Sequence, residues 1–299
     1  MNQKFENGLQ THGNQKSCLK EQAPYAYFLD MVMGIGVQKA SKLLQVFGTP
    51  REAYMAGESF LQPILGNKIM GNWIQLKKAL NPQLGYQKIL DQGIRFVPMY
   101  DPAYPERLKE IPDKPFALYV IGELPTQDVP AVAVIGARKC SAYGQYQAEQ
   151  FGMELAAAGI DVVSGLARGI DGISQQAALR AGGKTYAVLG CGVDICYPAC
   201  HRLLYEDIKI QGGIISSYPP GTQPKANLFP PRNRIISGLA DTVLVVEAGQ
   251  KSGTLITVDM ALEQGREIYC IPGRLTDRLS LGCNSLIQQG AGVVLSPSE

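Results

Sequence analysis

The spacing of hydrophobic positions changes near residue 96, and this change divides the chain in two. From Tyr25 to about Leu90, aliphatic and aromatic residues recur every three or four positions, which is typical of helices that bury one face. Glycines and prolines such as Gly48 and Pro82 interrupt the pattern and predict several short helices. We therefore expect a small all-helical domain over residues 25–95, preceded by a polar, mobile tail over residues 1–24.

Beyond residue 96, short apolar runs alternate with segments of helical length. The runs are rich in valine, isoleucine and leucine, which indicates strands buried on both faces of a mostly parallel sheet. Strands are predicted at 117–121, 132–135, 161–164, 185–189, 213–216, 242–246, 267–271 and 293–295. Helices are predicted at 143–158, 171–181, 201–211, 232–239, 254–264 and 283–289. The order indicates an α/β fold, with an extended Rossmann-like, mostly parallel sheet over residues 96–299.

Turns from strand to helix meet at one edge of such a sheet, because the crossovers are right-handed. Backbone N–H groups and the positive ends of helix dipoles converge there and favour phosphate. The candidate phosphate or DNA ligands in four such segments are Gly136, Arg138 and Ser141; Ser164, Gly165, Ala167, Arg168 and Gly169; Lys225, Asn227, Phe229, Arg232, Asn233 and Arg234; and Lys251, Ser252, Gly253 and Thr254. Replacing Arg138 or Arg232 is expected to weaken binding while leaving the fold intact.

Three residues at this edge have two interpretations each. Asp171 is a good helix N-cap, and we prefer that role to catalysis. Phe229 either stacks on a nucleobase or is a core aromatic under its loop. Glu247 is the acid that could activate water, and we favour instead a bidentate pair with Arg232 or Arg234.

In the helical domain, the segment Met33–Val37 resembles a helix-hairpin-helix turn, or part of a SAM-like domain. Such hairpins either offer backbone amides to a DNA phosphate or act as packing units. No lysine or arginine stands beside the glycines, so we favour packing.

Composition restricts the remaining possibilities. The net charge of +2 is too small to indicate a nucleic-acid binder, so any basic surface must be local. The 7 cysteines show no disulfide-like spacing, which favours a reducing cytoplasm. The cluster Cys191, Cys196, Cys200 and His201 matches no common zinc spacing. We expect no metal, no cofactor and no membrane segment, since no apolar run approaches about 18–20 residues.

Several long motifs resemble the DprA/Smf family of DNA-processing proteins. They are VIGARKCSAYG (134–144), VVSGLARGID (162–171), YAVLGCGVDICYP (186–198), NLFPPRNRIISGLAD (227–241), VVEAGQKSGTLIT (245–257) and PGRLTDRLSLGCNSLIQQGA (272–291). The resemblance implies a helical domain before a Rossmann-like domain, and a typical homodimer. It also implies binding of single-stranded DNA and loading of the RecA recombinase onto that DNA in natural transformation.

Two positions depart from the family pattern, and one other class of protein competes with it. Gln175 stands where the family usually has histidine, and Ser217 where it often has glutamate. The competing class is a phosphoribohydrolase-like, nucleotide-processing enzyme with a PGGxGT loop. The segment EAGQKSGTLITVD lacks the double glycine, and residues 255–257 are Leu, Ile and Thr where a catalytic acid is needed. We therefore expect a binding protein and not an enzyme.

Overall fold

The computed structural model describes residues 21–299, and the chain forms two compact units. The first extends to Pro102 and also contains Pro115–Leu118; the second comprises Ala103–Lys114 and Tyr119–Glu299. Most of the predicted tail lies outside the described residues. Its last part, residues 21–24, belongs to the first helix, so the helical region begins before Tyr25.

The first unit is a set of short helices around an aromatic core. Residues 21–31 are helical (α1). The next elements are α2 (Val37–Phe47), α3 (Pro50–Met55), α4 (Glu58–Ala79), α5 (Pro82–Asp91) and β1 (Arg95–Pro98). Thr49 and Asn81 cap α3 and α5, and each precedes a proline at the first helical position. Phe28 packs edge-on against Tyr54 and Trp73, with ring centroids 4.8 and 5.1 Å away. The Met33–Val37 turn packs on α4, where Ile69 lies against Gly34 and Asn72 donates to the Met33 carbonyl.

The second unit alternates strands and helices as the sequence predicts. Its strands are β2 (Ala117–Gly122, which begins in the first unit), β3 (Ala131–Ile135), β4 (Asp161–Ser164), β5 (Thr185–Val188), β6 (Gly212–Ser216), β7 (Thr242–Val245), β8 (Glu267–Cys270) and β9 (Gly292–Val293). Its helices are α6 (Glu106–Lys109), α7 (Ala142–Ala157), α8 (Ile170–Arg180), α9 (Arg202–Ile210), α10 (Phe229–Gly238), α11 (Thr254–Glu263) and α12 (Leu281–Gln288).

The strands of this unit run in the order β2-β6-β5-β4-β3-β7-β8-β9. All neighbours in that order are parallel except β2 and β6. The mostly parallel Rossmann-like sheet predicted from the sequence is confirmed. The chain moves outward from β3 to β6 and then returns to place β7 beside β3. The order of strands therefore reverses between β3 and β7, which is where sheets of this type form a ligand crevice.

An ion pair between a buried arginine and an exposed aspartate fixes the start of this unit to the sheet. The Arg107 side chain, 5% exposed, donates to both carboxylate oxygens of Asp241 at 2.7 and 2.8 Å. It also donates to the carbonyls of Thr126 and Val129, both at 2.9 Å. Asp241 directly precedes β7, so this arginine fixes α6 beside that strand. Within residues 21–299, no helix has the length and apolar character that crossing a bilayer requires.

Candidate functional site

A cleft of about 560 Å³ opens where β3 and β7 end. It collects candidate ligands from all four predicted segments: Gly136, Arg138, Ala167, Phe229, Arg232, Asn233, Lys251, Ser252, Gly253 and Thr254. The other candidates lie outside its lining: Ser141, Ser164, Gly165, Arg168, Gly169, Lys225, Asn227 and Arg234. The four predicted segments therefore meet at one cleft, but only the fourth contributes all of its candidate residues to the lining.

The first and fourth turns supply the exposed positive charges and the free backbone amides of this cleft. Arg138, Lys139 and Lys251 are exposed lysine and arginine side chains in its lining. Among the described residues, the backbone N–H groups of Ala137, Arg138, Lys139, Lys251 and Gly253 make no hydrogen bond. Exposed cations beside unused amide donors form a surface suited to an oxyanion such as phosphate.

The second turn is closed by its own side chains. Asp171 is buried, and its carboxylate accepts the N–H of Gly165 at 3.1 Å and that of Ala167. Burial raises the pKa of Asp171, while the Arg232 guanidinium and these two N–H groups oppose the shift. Gly169 occupies the N-cap position of α8, so the prediction that Asp171 caps this helix is wrong. Asp171 lies in the first turn of the helix and reaches back to the loop, because the loop amides would otherwise be buried without a partner.

Gln175 completes this closure. Its Oε1 accepts the Leu166 N–H at 3.2 Å, and its Nε2 donates to the Tyr186 carbonyl at 3.1 Å. Leu166 has a φ of 55°, so its backbone needs external support. Ser164 is fully buried, and its hydroxyl donates to the Val134 carbonyl at 2.6 Å. These groups hold the loop, and the Ser164 hydroxyl is not available to a ligand.

Arg232 is a structural residue within the site. It is only 4% exposed, and its Nη1 donates to the Gly165 carbonyl at 2.8 Å and to the Val188 carbonyl. Burial lowers the pKa of Arg232 to about 10, which Asp171 counteracts. The guanidinium thus joins α10 to the ends of β4 and β5. The prediction that its loss leaves the fold intact is not supported by this geometry. Arg234 lines a different hollow, beside Pro112.

Glu247 organises the first turn. It is 2% exposed and accepts the Ser141 N–H at 2.9 Å and the Ser141 hydroxyl. The same hydroxyl accepts the Gly144 N–H at 3.1 Å and caps α7. The predicted pairing of Glu247 with an arginine is therefore wrong, since its partner is Ser141. The Ser141 hydroxyl, predicted as a phosphate ligand, is used in this cap.

An aromatic pair lies at one end of the cleft. Phe229 lines the cleft, and the ring of Tyr197 stacks on it with centroids 5.4 Å apart and planes at 27°. The Arg138 guanidinium lies 5.7 Å from the Phe229 centroid, which is a cation–π distance. Sequence reasoning did not select Tyr197. The available signal is an aromatic residue within the glycine-containing loop that follows β5.

Comparison with known proteins identifies the fold and its lineage. Residues 95–299 match the family described as DNA recombination-mediator protein A. The chain belongs to the DprA/Smf family. DNA processing protein DprA of Streptococcus pneumoniae is 45% identical over 201 residues, which are 67% of this chain and 70% of that protein. Protein Smf of Synechocystis is 36% identical over 282 residues, 92% of this chain and 71% of that protein.

Two solved DprA structures are similar to the structure of this chain. The X-ray structure of DprA from S. pneumoniae has a TM-score of 0.81 at 35% identity, covering 92% of this chain and 95% of that one. The structure of DNA processing protein A from Helicobacter pylori has a TM-score of 0.62 at 28% identity, covering 69% and 92%. The H. pylori protein is described as having a single-stranded DNA binding mode.

Arg232→Ala is expected to lower the free energy of unfolding by about 2–4 kcal/mol, because it leaves the Gly165 and Val188 carbonyls without their donor and removes the positive charge near the buried Asp171 carboxylate. Arg138→Ala, an exposed arginine on the same cleft, is the matched control and should change it by less than about 0.5 kcal/mol. Urea unfolding followed by circular dichroism measures both. A wild-type unfolding curve for Arg232→Ala would show that the guanidinium is not structural.

Proposed function

We propose that this DprA/Smf protein binds single-stranded DNA along the cleft, with little sequence preference and with weaker affinity for duplex. One observation carries the proposal: Arg138, Lys139 and Lys251 surround unused backbone N–H groups at the point where strand order reverses. Such groups contact phosphates, which carry no sequence information. The single-stranded DNA binding described for the H. pylori relative supports the same ligand.

The family resemblance extends the proposal to a place in recombination. We propose that the bound strand is transferred to RecA, as the chain loads that recombinase during natural transformation in the cytoplasm. We also propose a homodimer, because the family typically acts as one. Light scattering of the purified chain tests the dimer.

The enzyme alternative is weakened by where the acids lie. A hydrolase needs a carboxylate that can accept a proton from water. Glu247 is engaged by two donors of Ser141, and Asp171 by the loop amides. Both carboxylates shape the backbone of the cleft, so we favour binding without turnover.

Binding to a labelled dT oligomer is expected to weaken with salt, with a slope of log K against log[salt] of about −2 to −3.5, if three to five phosphates are contacted. Arg138→Ala should weaken binding by about 1–3 kcal/mol and bring the slope about 0.7 closer to zero. Fluorescence anisotropy at several salt concentrations measures both. Arg180→Ala, an exposed arginine paired with Glu149 outside the cleft, is the control and should bind as wild type. A salt-independent affinity would contradict the model.

On oligomers that are already coated with a single-strand binding protein, we expect RecA to load faster in the presence of the chain than in its absence. The assay is DNA-dependent ATP hydrolysis by RecA, followed with and without the chain. Arg138→Ala should lose the acceleration in proportion to its loss of DNA affinity, because transfer requires a bound strand. Unchanged RecA kinetics at saturating wild-type protein would refute the loading role and leave DNA binding in place.

Nucleoside monophosphates and labelled oligonucleotides are expected to remain intact when incubated with the protein, with or without divalent metal. Chromatography and gel electrophoresis of the mixtures detect any product. The reason is that Asp171, which lines the cleft, and Glu247, which holds its first turn, already act as structural acceptors. Turnover that disappears in Glu247→Gln would establish the enzyme alternative.

A further inference from the structure

We propose that Tyr197 is a stacking platform for an unpaired nucleobase, with Phe229 as the support beneath it. The proposal deepens the single-stranded DNA binding proposed above and rests on it. Tyr197 lies in the loop after β5, and its ring stacks on Phe229, which lines the cleft. It is 46% exposed, which is unusual for an aromatic ring that already stacks on another.

Phe229 is held on several sides. Tyr197 stacks on it, and the Arg138 guanidinium lies 5.7 Å from its centroid. Gly190 lies so close that a Cβ there would be 2.6 Å from Phe229 Cδ1. Phe229 is accordingly half-buried, which matches the core-aromatic alternative better than a free stacking surface. The exposed aromatic surface of the pair therefore belongs to Tyr197.

The chemistry of this arrangement suits an unpaired strand. Every nucleobase has a π face, so stacking on an aromatic ring tolerates any sequence, while cations follow the backbone. Arg138 lines the cleft and also contacts Phe229, so phosphate and base contacts share one residue. Within the described part of the chain, the Tyr197 hydroxyl makes no hydrogen bond. The proposal therefore assigns the base contact to the ring, and the hydroxyl has no structural partner among the described residues that its removal would disturb.

The experiment uses dT oligomers that carry one 2-aminopurine at successive positions. We expect the wild-type protein to quench its fluorescence strongly at one position. Tyr197→Leu, which keeps apolar bulk on Phe229, should lose this quenching. It should also raise Kd at least about fivefold, which is the smallest increase expected when one stacked base is lost. Tyr197→Phe should retain both quenching and affinity. Tyr146→Leu removes a 59% exposed tyrosine from α7 and is the matched control, which should behave as wild type.

A second measurement uses only the wild-type protein and therefore does not depend on whether the variants fold. Abasic sites placed one at a time in the oligomer should weaken wild-type binding most at the position that is quenched. Uniform binding of all abasic oligomers would overturn the platform while leaving the proposed DNA binding intact. Unaltered quenching and affinity in a folded Tyr197→Leu would do the same. If wild-type protein binds no oligomer at all, the proposed function itself fails.

Discussion

Inside the second unit, the guanidinium of Arg232 takes the place of the water that carbonyl groups at the ends of β4 and β5 would otherwise bind. A buried arginine is costly unless acceptors and an opposite charge compensate it. Here the Asp171 carboxylate opposes the loss of charge, while the Nε of Arg232 is buried without a partner. The same carboxylate accepts amides of the loop after β4. One helix and two strand ends are thereby fixed together, and Arg138, Phe229 and the free amides of the first turn acquire their positions relative to that frame.

In this cleft, the buried charges stabilise the loops, whereas the exposed charges are accessible to a ligand. The buried residues are Asp171, Arg232 and Glu247. Their charged groups bind backbone groups of the loops and so hold the loops in place. Arg138 and Lys251 remain exposed and can meet an anion from solvent. A net charge of only +2 is compatible with such a site, because the local arrangement decides what is bound.

The sequence predicts the α/β fold and every strand of the second unit, since buried parallel strands have a strong local pattern. It does not predict β1, a strand of 4 residues outside that alternation. It also predicts that the four strand-to-helix segments meet at one edge, and residues of all four line the same cleft. It fails for the partners of charged groups: Glu247 binds Ser141, 106 positions earlier, and spacing along the chain does not reveal such pairings. The sequence also does not single out Tyr197, because its stacking on Phe229, 32 positions later, is likewise a contact between distant residues.

The order of strands also sets the length of the proposed binding surface. Tyr197 follows β5 and Lys251 follows β7, with β4 and β3 between them. Neighbouring strands lie about 4.8 Å apart, so the ends of β5 and β7 are separated by about 14 Å across the sheet. Even at the duplex spacing of about 3.4 Å per phosphate, that distance corresponds to about four phosphates, and to fewer in a more extended strand. In the proposed binding mode, a mononucleotide would occupy one end of this surface only, whereas an unpaired strand would engage the cations, the free amides and the aromatic ring together.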